Sequence, residues 1–316
     1  MGTIPALLRQ VLEPLARHYD DPTTVEIRLN RAGQVITDRR GEGKRQVEDE
    51  ALNIATIERV CRSLANHAGL SWDPDRAPKL SCVLPGGHRF ECLVGASVAS
   101  GVSLAIRCKH PFTPQWSDSG LSERMRDYLL AQVSQGSNMI ISGATNTGKA
   151  TLLNMLLATL PAECRVIGVE DTPELQLERF WDGNRLLAAR EASSDNGGMI
   201  GWRPIYDHLM RATPDRVIFG EISTQNAFAA LAALNAGITG FMCSIHAESP
   251  RQVLERKFDQ NIAWSGDTLE RVSEFLGELV DVIVQIKRSP DGYRRVTDIY
   301  EPRADRWVLV NGEELI

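Results

Sequence analysis

Residues 139–153 read Met-Ile-Ile-Ser-Gly-Ala-Thr-Asn-Thr-Gly-Lys-Ala-Thr-Leu-Leu, and this stretch constrains the fold more than any other. Met139 to Ile141 is a short apolar run of the kind that forms a buried strand. Gly143 to Lys149 has the spacing G-x-x-x-x-G-K, and an apolar helical pattern begins at once with Leu152, Leu153, Met155 and Leu156. Strand, glycine loop and helix in that order are what a phosphate-binding loop requires. The glycines let backbone N–H groups turn inward around phosphate oxygens, and the helix aims its positive end at the same place. Lys149 adds a mobile charge for β and γ phosphates. The expected nucleotide-binding residues are therefore Gly143, Ala144, Thr145, Asn146, Thr147, Gly148, Lys149, Ala150 and Thr151. One position departs from the pattern. The loop ordinarily continues Lys-Ser or Lys-Thr, whose hydroxyl binds Mg²⁺, and here that residue is Ala150.

A chain of 316 residues suggests two domains, each able to bury a core. The net charge of −6 argues against a whole-surface nucleic-acid binder, so direct sequence-specific binding of nucleic acid is not expected. No apolar run approaches the ~18 residues needed to span a membrane. The N-terminus lacks a basic segment followed by an apolar core, so no export signal is expected. Cys61, Cys82, Cys92, Cys108, Cys164 and Cys243 are scattered without a C-x-x-C pair, which speaks against zinc and for reduced, mostly buried thiols. Cys82 and Cys92 fall in neighbouring expected strands and can lie close together.

Periodicity divides the chain in two. Residues 7–16 have helical spacing, 24–29 alternate like a half-buried strand, and 34–37 return as its hairpin partner. Residues 54–64 mark a second helix, followed by strands at 79–84, 89–94 and 102–108, which makes a small α+β domain over 1–110. Residues 110–120 hold two prolines, small polar residues and a terminal glycine. They form the best linker, taken as 111–120 with the boundary near 115. From 121 to 316 strands and helices alternate, the pattern of a mostly parallel α/β sheet covered on both faces. A helix at 121–133 precedes the phosphate loop. Strands follow at 165–169, 185–188, 216–219 and 241–245, with helices at 204–211 and 225–236. Helices at 252–258 and 268–276 precede strands at 280–286, 293–300 and 307–310.

Three further clusters carry chemistry. Pro-Asp-Arg-Val-Ile-Phe-Gly-Glu, ending at Glu221, is an apolar strand that delivers an acid. Such a carboxylate beside a γ-phosphate can orient or deprotonate water. Glu170, Asp171 and Glu174 follow another strand and can hold Mg²⁺ directly or through water. His246 stands at the C-terminal end of a strand, where sites gather in such sheets. It can sense a γ-phosphate or bond to Glu221.

Taken together, the four clusters resemble the type IV secretion and conjugative-transfer branch of the secretion-superfamily traffic ATPases. They match, in order, its phosphate loop, its acidic box (170–174), its second nucleotide-binding strand (209–221) and its histidine box (237–246). The N-terminal hairpin, the strand at 102–107 and the C-terminal hairpin are similar as well. The resemblance implies a RecA-like P-loop NTPase domain preceded by the smaller α+β domain. It also implies ATP and Mg²⁺ as cofactors and a homohexameric ring. ATP would be held between the two domains, and arginines would reach its phosphates, with Arg107 the best match, Arg89 a weaker one and Arg211 ahead of the second motif. Catalytic roles would fall to Glu221, Lys149, Glu174 and His246, with metal binding at Glu170 and Asp171. Such a motor is cytoplasmic, peripheral to the inner membrane, and works with the secretion or conjugation machinery and its other ATPases. Ala150, Ser223 (usually Arg) and Ile238 (usually His) depart from the family pattern near the expected phosphates. The alternatives are a nucleotide-holding ring subunit with weak or no hydrolysis, and a pilus assembly or retraction ATPase.

Overall fold

The computed structural model describes residues 5–110, 114–188, 200–289 and 292–315. Residues 111–113 of the expected linker lie outside that set. The contact pattern separates one unit, Met1–Thr113 with Pro290–Tyr293, from a second, Pro114–Ser289 with Arg294–Ile316.

The first unit opens with helix α1 (Ala6–Tyr19), which buries Leu8, Leu12, Leu15 and Tyr19 along one stripe. Strands β1 (Thr24–Arg31), β2 (Gln34–Arg39) and β3 (Gly43–Glu48) form a meander. Helix α2 (Ile54–Ala68) follows, capped by the Asn53 side chain on the Thr56 N–H and closed by left-handed Gly69. Strands β4 (Lys79–Val83), β5 (Arg89–Val94) and β6 (Val102–Arg107) complete an antiparallel sheet of order β3-β2-β1-β6-β5-β4. Alternate residues such as Ile27, Leu29, Phe90 and Ile106 meet α1 and α2 in one core. Strand β3 was not expected. Its sequence Gly-Lys-Arg-Gln-Val-Glu is almost wholly exposed and has no apolar alternation, so backbone pairing to β2 at the sheet edge makes it a strand.

In the second unit, helix α3 (Glu123–Gln135) leads into β7 (Met139–Ser142) and α4 (Lys149–Leu157). Next come β8 (Val166–Glu170), β9 (Asn184–Leu187), α5 (Trp202–Leu209), β10 (Arg216–Ile222), α6 (Ala227–Asn235) and β11 (Met242–Ile245). Helices α7 (Phe258–Trp264) and α8 (Val272–Leu279) precede β12 (Val282–Arg288), β13 (Arg294–Glu301), β14 (Arg306–Val310) and β15 (Glu313–Glu314). The sheet order is β15-β14-β13-β12-β7-β11-β10-β8-β9, parallel from β12 to β9 and antiparallel from β12 to β15. Strands β7, β8 and β11 are buried at every residue because helices cover both faces. Helices α3 and α4 pack on one face, and α5 to α8 on the other.

Most helical bounds shift by one or two residues from expectation, and two of the shifts have a visible cause. Helix α5 begins two residues earlier than the periodicity indicated, with Pro204 in its first turn, where a missing N–H leaves no bond unmade. The stretch from Pro250 runs through a wide turn over Val253–Lys257 directly into α7, and Gly266 at φ +84° ends it, so α8 starts only at Val272.

Candidate nucleotide site

Four consecutive parallel strands, β7, β11, β10 and β8, carry at their C-terminal ends the phosphate loop, His246, Glu221 and Glu170. Such ends are where α/β sheets gather their ligands. The chain is forced into a narrow course there. A Cβ at Gly143 would strike the Ile286 carbonyl oxygen, and Gly148 sits at φ +93°, where only glycine is comfortable. Asn146, at the apex, is left-handed at φ +62°. Helix α4 then starts at Lys149, leaving its first N–H groups without helical partners.

Lys149 is 7% exposed. Its ammonium donates to Gly143 O at 3.2 Å, to Ala144 O at 3.1 Å and to His246 Nδ1 at 3.0 Å. An ammonium offers only protons, so His246 Nδ1 accepts and the ring proton sits on Nε2. That Nε2 lies 2.5 Å from Glu221 Oε1, and Glu221 is 3.9 Å from Lys149 Nζ. One imidazole therefore links the loop lysine to the strand-end carboxylate. Buried Asn226 donates its side-chain N–H to Glu221 O at 2.8 Å and accepts from the Ser223 N–H at 2.7 Å. This pins the chain just beyond β10 and leaves the Glu221 carboxylate half exposed.

The acidic cluster splits into two kinds of residue. Glu170 is buried, and its Oε1 accepts the Glu174 N–H at 2.7 Å and the Leu175 N–H at 2.9 Å. Its Oε2 accepts Arg185 Nε at 3.1 Å. Burial pushes the Glu170 carboxyl up, opposed by those two N–H groups and by the arginine. With both oxygens engaged, Glu170 anchors the 171–175 loop, and a direct metal bond from it would break that anchor. Asn154 on α4 fastens the same loop by donating to Glu174 O at 2.9 Å and accepting from the Gln176 N–H at 2.8 Å. Asp171 is half-buried and Glu174 is exposed. Ala150 and Thr151 lie on the first turn of α4, both half-buried.

The named arginines are placed differently. Arg89 and Arg107 face each other across β5 and β6 of the first unit. Arg211 follows α5, exposed, and no hydrogen bond or ion pair among the described residues joins its guanidinium to the loop. Sequence reasoning missed Arg185, Asn226, Gln285 and Arg294. Gln285 on β12 is buried, accepts from Ser142 Oγ and donates to Ala247 O at 3.2 Å, tying the end of β7 to the residue after His246. No local motif marks any of the four.

Away from the loop, His88, Cys108 and His110 bring donor atoms within 4.8 Å of one another. The Lys109 N–H occupies His88 Nδ1 at 2.9 Å, so the neutral ring keeps its proton on Nε2. An ion would have to displace that bond to gain a third ligand.

The family profile described as "Type II/IV secretion system protein" matches residues 94–270. The chain is 32% identical over 307 residues to the conjugal transfer protein TrbB of Rhizobium radiobacter, spanning 93% of this chain and 90% of that one. It is 26% identical over 336 residues to the type IV secretion system protein VirB11 of Bartonella quintana, spanning 93% of each. Its fold is similar to that of the ATPase DotB of Legionella pneumophila, with a TM-score of 0.63 and 14% identity over 95% of this chain and 82% of that one. A profile that covers more than half the chain, together with a relative similar over nearly its whole length, places the chain in the type II/IV secretion system protein family.

Proposed function

We propose that this chain is an ATP-binding and ATP-hydrolysing subunit of a homohexameric ring that powers a type IV secretion or conjugative transfer apparatus. The observation that carries the reading is the Lys149–His246–Glu221 constellation at the mouth of the phosphate loop. Relatives named for conjugal transfer and type IV secretion support the cellular role.

The loop has the spacing of a phosphate cradle, and Gly143 and Gly148 let it pack directly against Ile286 and Arg294, where a Cβ would clash. Residues 143 to 149 would bind the phosphates through backbone N–H groups, and Lys149 would turn from Gly143 O and Ala144 O to the β and γ oxygens. Glu221, held by Asn226 and bonded to His246, would orient an attacking water and take its proton. Arg211 would be a further phosphate contact in this reading. Asp171 and Glu174 would hold Mg²⁺ through water, since position 150 offers no hydroxyl. When bound, that ion would supply positive charge against the phosphates. No helix among the described residues is long and apolar enough to cross a membrane. Peripheral attachment at the cytoplasmic face of the inner membrane, beside the other ATPases of the machinery, is part of the proposal.

The test is magnesium-dependent phosphate release from ATP, read with sedimentation in the presence and absence of nucleotide. The expected result is turnover by an assembled ring, abolished in Lys149→Ala. A strictly monomeric protein, or activity that survives Lys149→Ala, would overturn the reading.

A further inference from the structure

The C-terminal hairpin reaches the phosphate loop at three levels. Along β12 and β7 the register sets Gln285 beside Ser142. The next residue, Ile286, presents its carbonyl oxygen to Gly143. Two residues on, Arg288 pairs with Arg294 of β13, which brings Arg294 level with the apex of the loop. There Arg294 Nε donates to Asn146 O at 3.2 Å, and its Nη2 donates to Asn146 Oδ1 at 3.0 Å. A Cβ at Gly148 would meet Arg294 Cδ at 2.9 Å, so the aliphatic stem also lies against the loop.

We propose that Arg294 is a positioning residue that holds the phosphate loop in its nucleotide-ready shape by clamping Asn146 in the left-handed conformation. The physical case has three parts. Asn146 sits at φ +62°, a region that asparagine tolerates better than most L-residues but that still costs energy unless bonds hold it. The guanidinium offers two parallel N–H groups to the backbone and side-chain oxygens of that one residue, a fixed fork that an ammonium cannot reproduce. A left-handed residue in a loop can turn successive N–H groups to one side, so holding Asn146 there removes an ordering step from ligand binding. None of the sequence boxes contains Arg294, which lies 148 residues from its partner. The consequence for nucleotide affinity rests on the nucleotide reading above, whereas the clamp itself does not.

Two measurements on the full chain separate these. Amide hydrogen exchange of residues 143–149 in the nucleotide-free protein reads the clamp directly. Arg294→Ala should speed exchange there about tenfold or more, with β8 amides unchanged, and Arg294→Lys should stay close to Arg294→Ala. Titration with a fluorescent ADP analogue should show Kd raised about tenfold in Arg294→Ala, while kcat at saturating ATP moves less than threefold. Loop exchange unaltered in Arg294→Ala, or full rescue of exchange and affinity by Arg294→Lys, would overturn the proposal. If Arg294→Ala does not fold, a cycle of Arg294→Lys with Asn146→Gly carries the test. Effects less than additive support the clamp, and additive effects overturn it. A wild-type chain that binds no nucleotide but whose loop is loosened by Arg294→Ala would sink the nucleotide reading and support the clamp.

Discussion

His246 Nε2 donates to Glu221 Oε1 across 2.5 Å while Nδ1 of the same ring accepts from Lys149 at 3.0 Å. The ring braces a pair already in ion-pair contact, since Lys149 Nζ and Glu221 Oε1 are 3.9 Å apart. In His246→Ala the lysine and the glutamate should close into a tighter pair. Lys149 is then drawn from the phosphates and Glu221 from the water. Steady-state kinetics should show kcat down at least tenfold, toward the roughly 10²–10⁴ that a positioned proton acceptor supplies, with nucleotide Kd raised a few fold. A kcat equal to that of the parent would show that the ring does not set the position of either group.

Glu221→Gln tests the carboxylate by itself. The amide keeps the shape and can still meet His246, and Asn226 continues to hold the backbone through Glu221 O. ATP should therefore bind within about threefold of the parent, while turnover falls by at least ~10² because the proton acceptor is gone. Turnover at the parent rate would remove Glu221 from the role.

The part of the site that reads from sequence is the part built by local spacing. Gly143 to Lys149 forms its loop as one continuous segment, and Glu221 and His246 end apolar strands whose parallel order brings them beside it. Long-range choices do not read in this way. Glu170, Asp171 and Glu174 look alike in sequence, and only burial against Arg185, fifteen residues away, turns Glu170 into an anchor. Arg294 looks like any alternating residue of a polar strand until the β12–β13 register sets it against Asn146. Edge strand β3 escapes for the opposite reason, since it buries almost nothing and its sequence carries no pattern to find.

In the first unit Asp49 ties α1 to the segment before α2. Its Oδ1 accepts from Arg17 at 2.7 Å and from the Ala51 N–H at 3.1 Å, and its Oδ2 lies 2.6 Å from His18 Nε2. Desolvation raises its pKa, but the His18 bond, the Ala51 N–H and the Arg17 charge outweigh it, and the carboxyl ends below its usual 3.8. A depressed folded-state pKa gives stability that is present above the unfolded value and lost as pH falls through the folded one. Asp49→Asn should therefore lower the unfolding free energy at pH 7, by roughly 1–3 kcal/mol if one charged partner is lost. The gap between variant and parent should shrink below about pH 4 and close further down. Urea titrations at pH 7 and pH 3 measure it, and an equal gap at both values would contradict the assignment.

Ala150→Thr should raise magnesium-dependent hydrolysis more than it raises nucleotide affinity. Position 150 is on the first turn of α4, next to Lys149, where the helix N-terminus faces the loop. On the proposed reading, most ground-state phosphate contacts would come from backbone N–H groups of residues 143 to 149 and from Lys149, and none of these needs a side chain at 150. Thr151 cannot stand in, because one helical residue turns the side chain by ~100°. A hydroxyl at 150 acts through the metal, whose pull on the β and γ oxygens grows as charge develops. An interaction that strengthens in the transition state appears in kcat, and one felt equally in both states appears in KM. By analogy with hydrogen bonds to charged groups, the hydroxyl is worth roughly 1–3 kcal/mol, or about ten- to a hundredfold in rate. A metal-bound water already in that position would hold the gain toward the lower figure. Helix propensity opposes the change by only a few tenths of a kcal/mol, so thermal stability should hardly move. The measurement is kcat and KM for ATP across a magnesium titration. Tighter nucleotide binding with kcat unaltered would show that the hydroxyl does not limit this site and would pass the question to Ser223, whose N–H is tied to Asn226 beside Glu221.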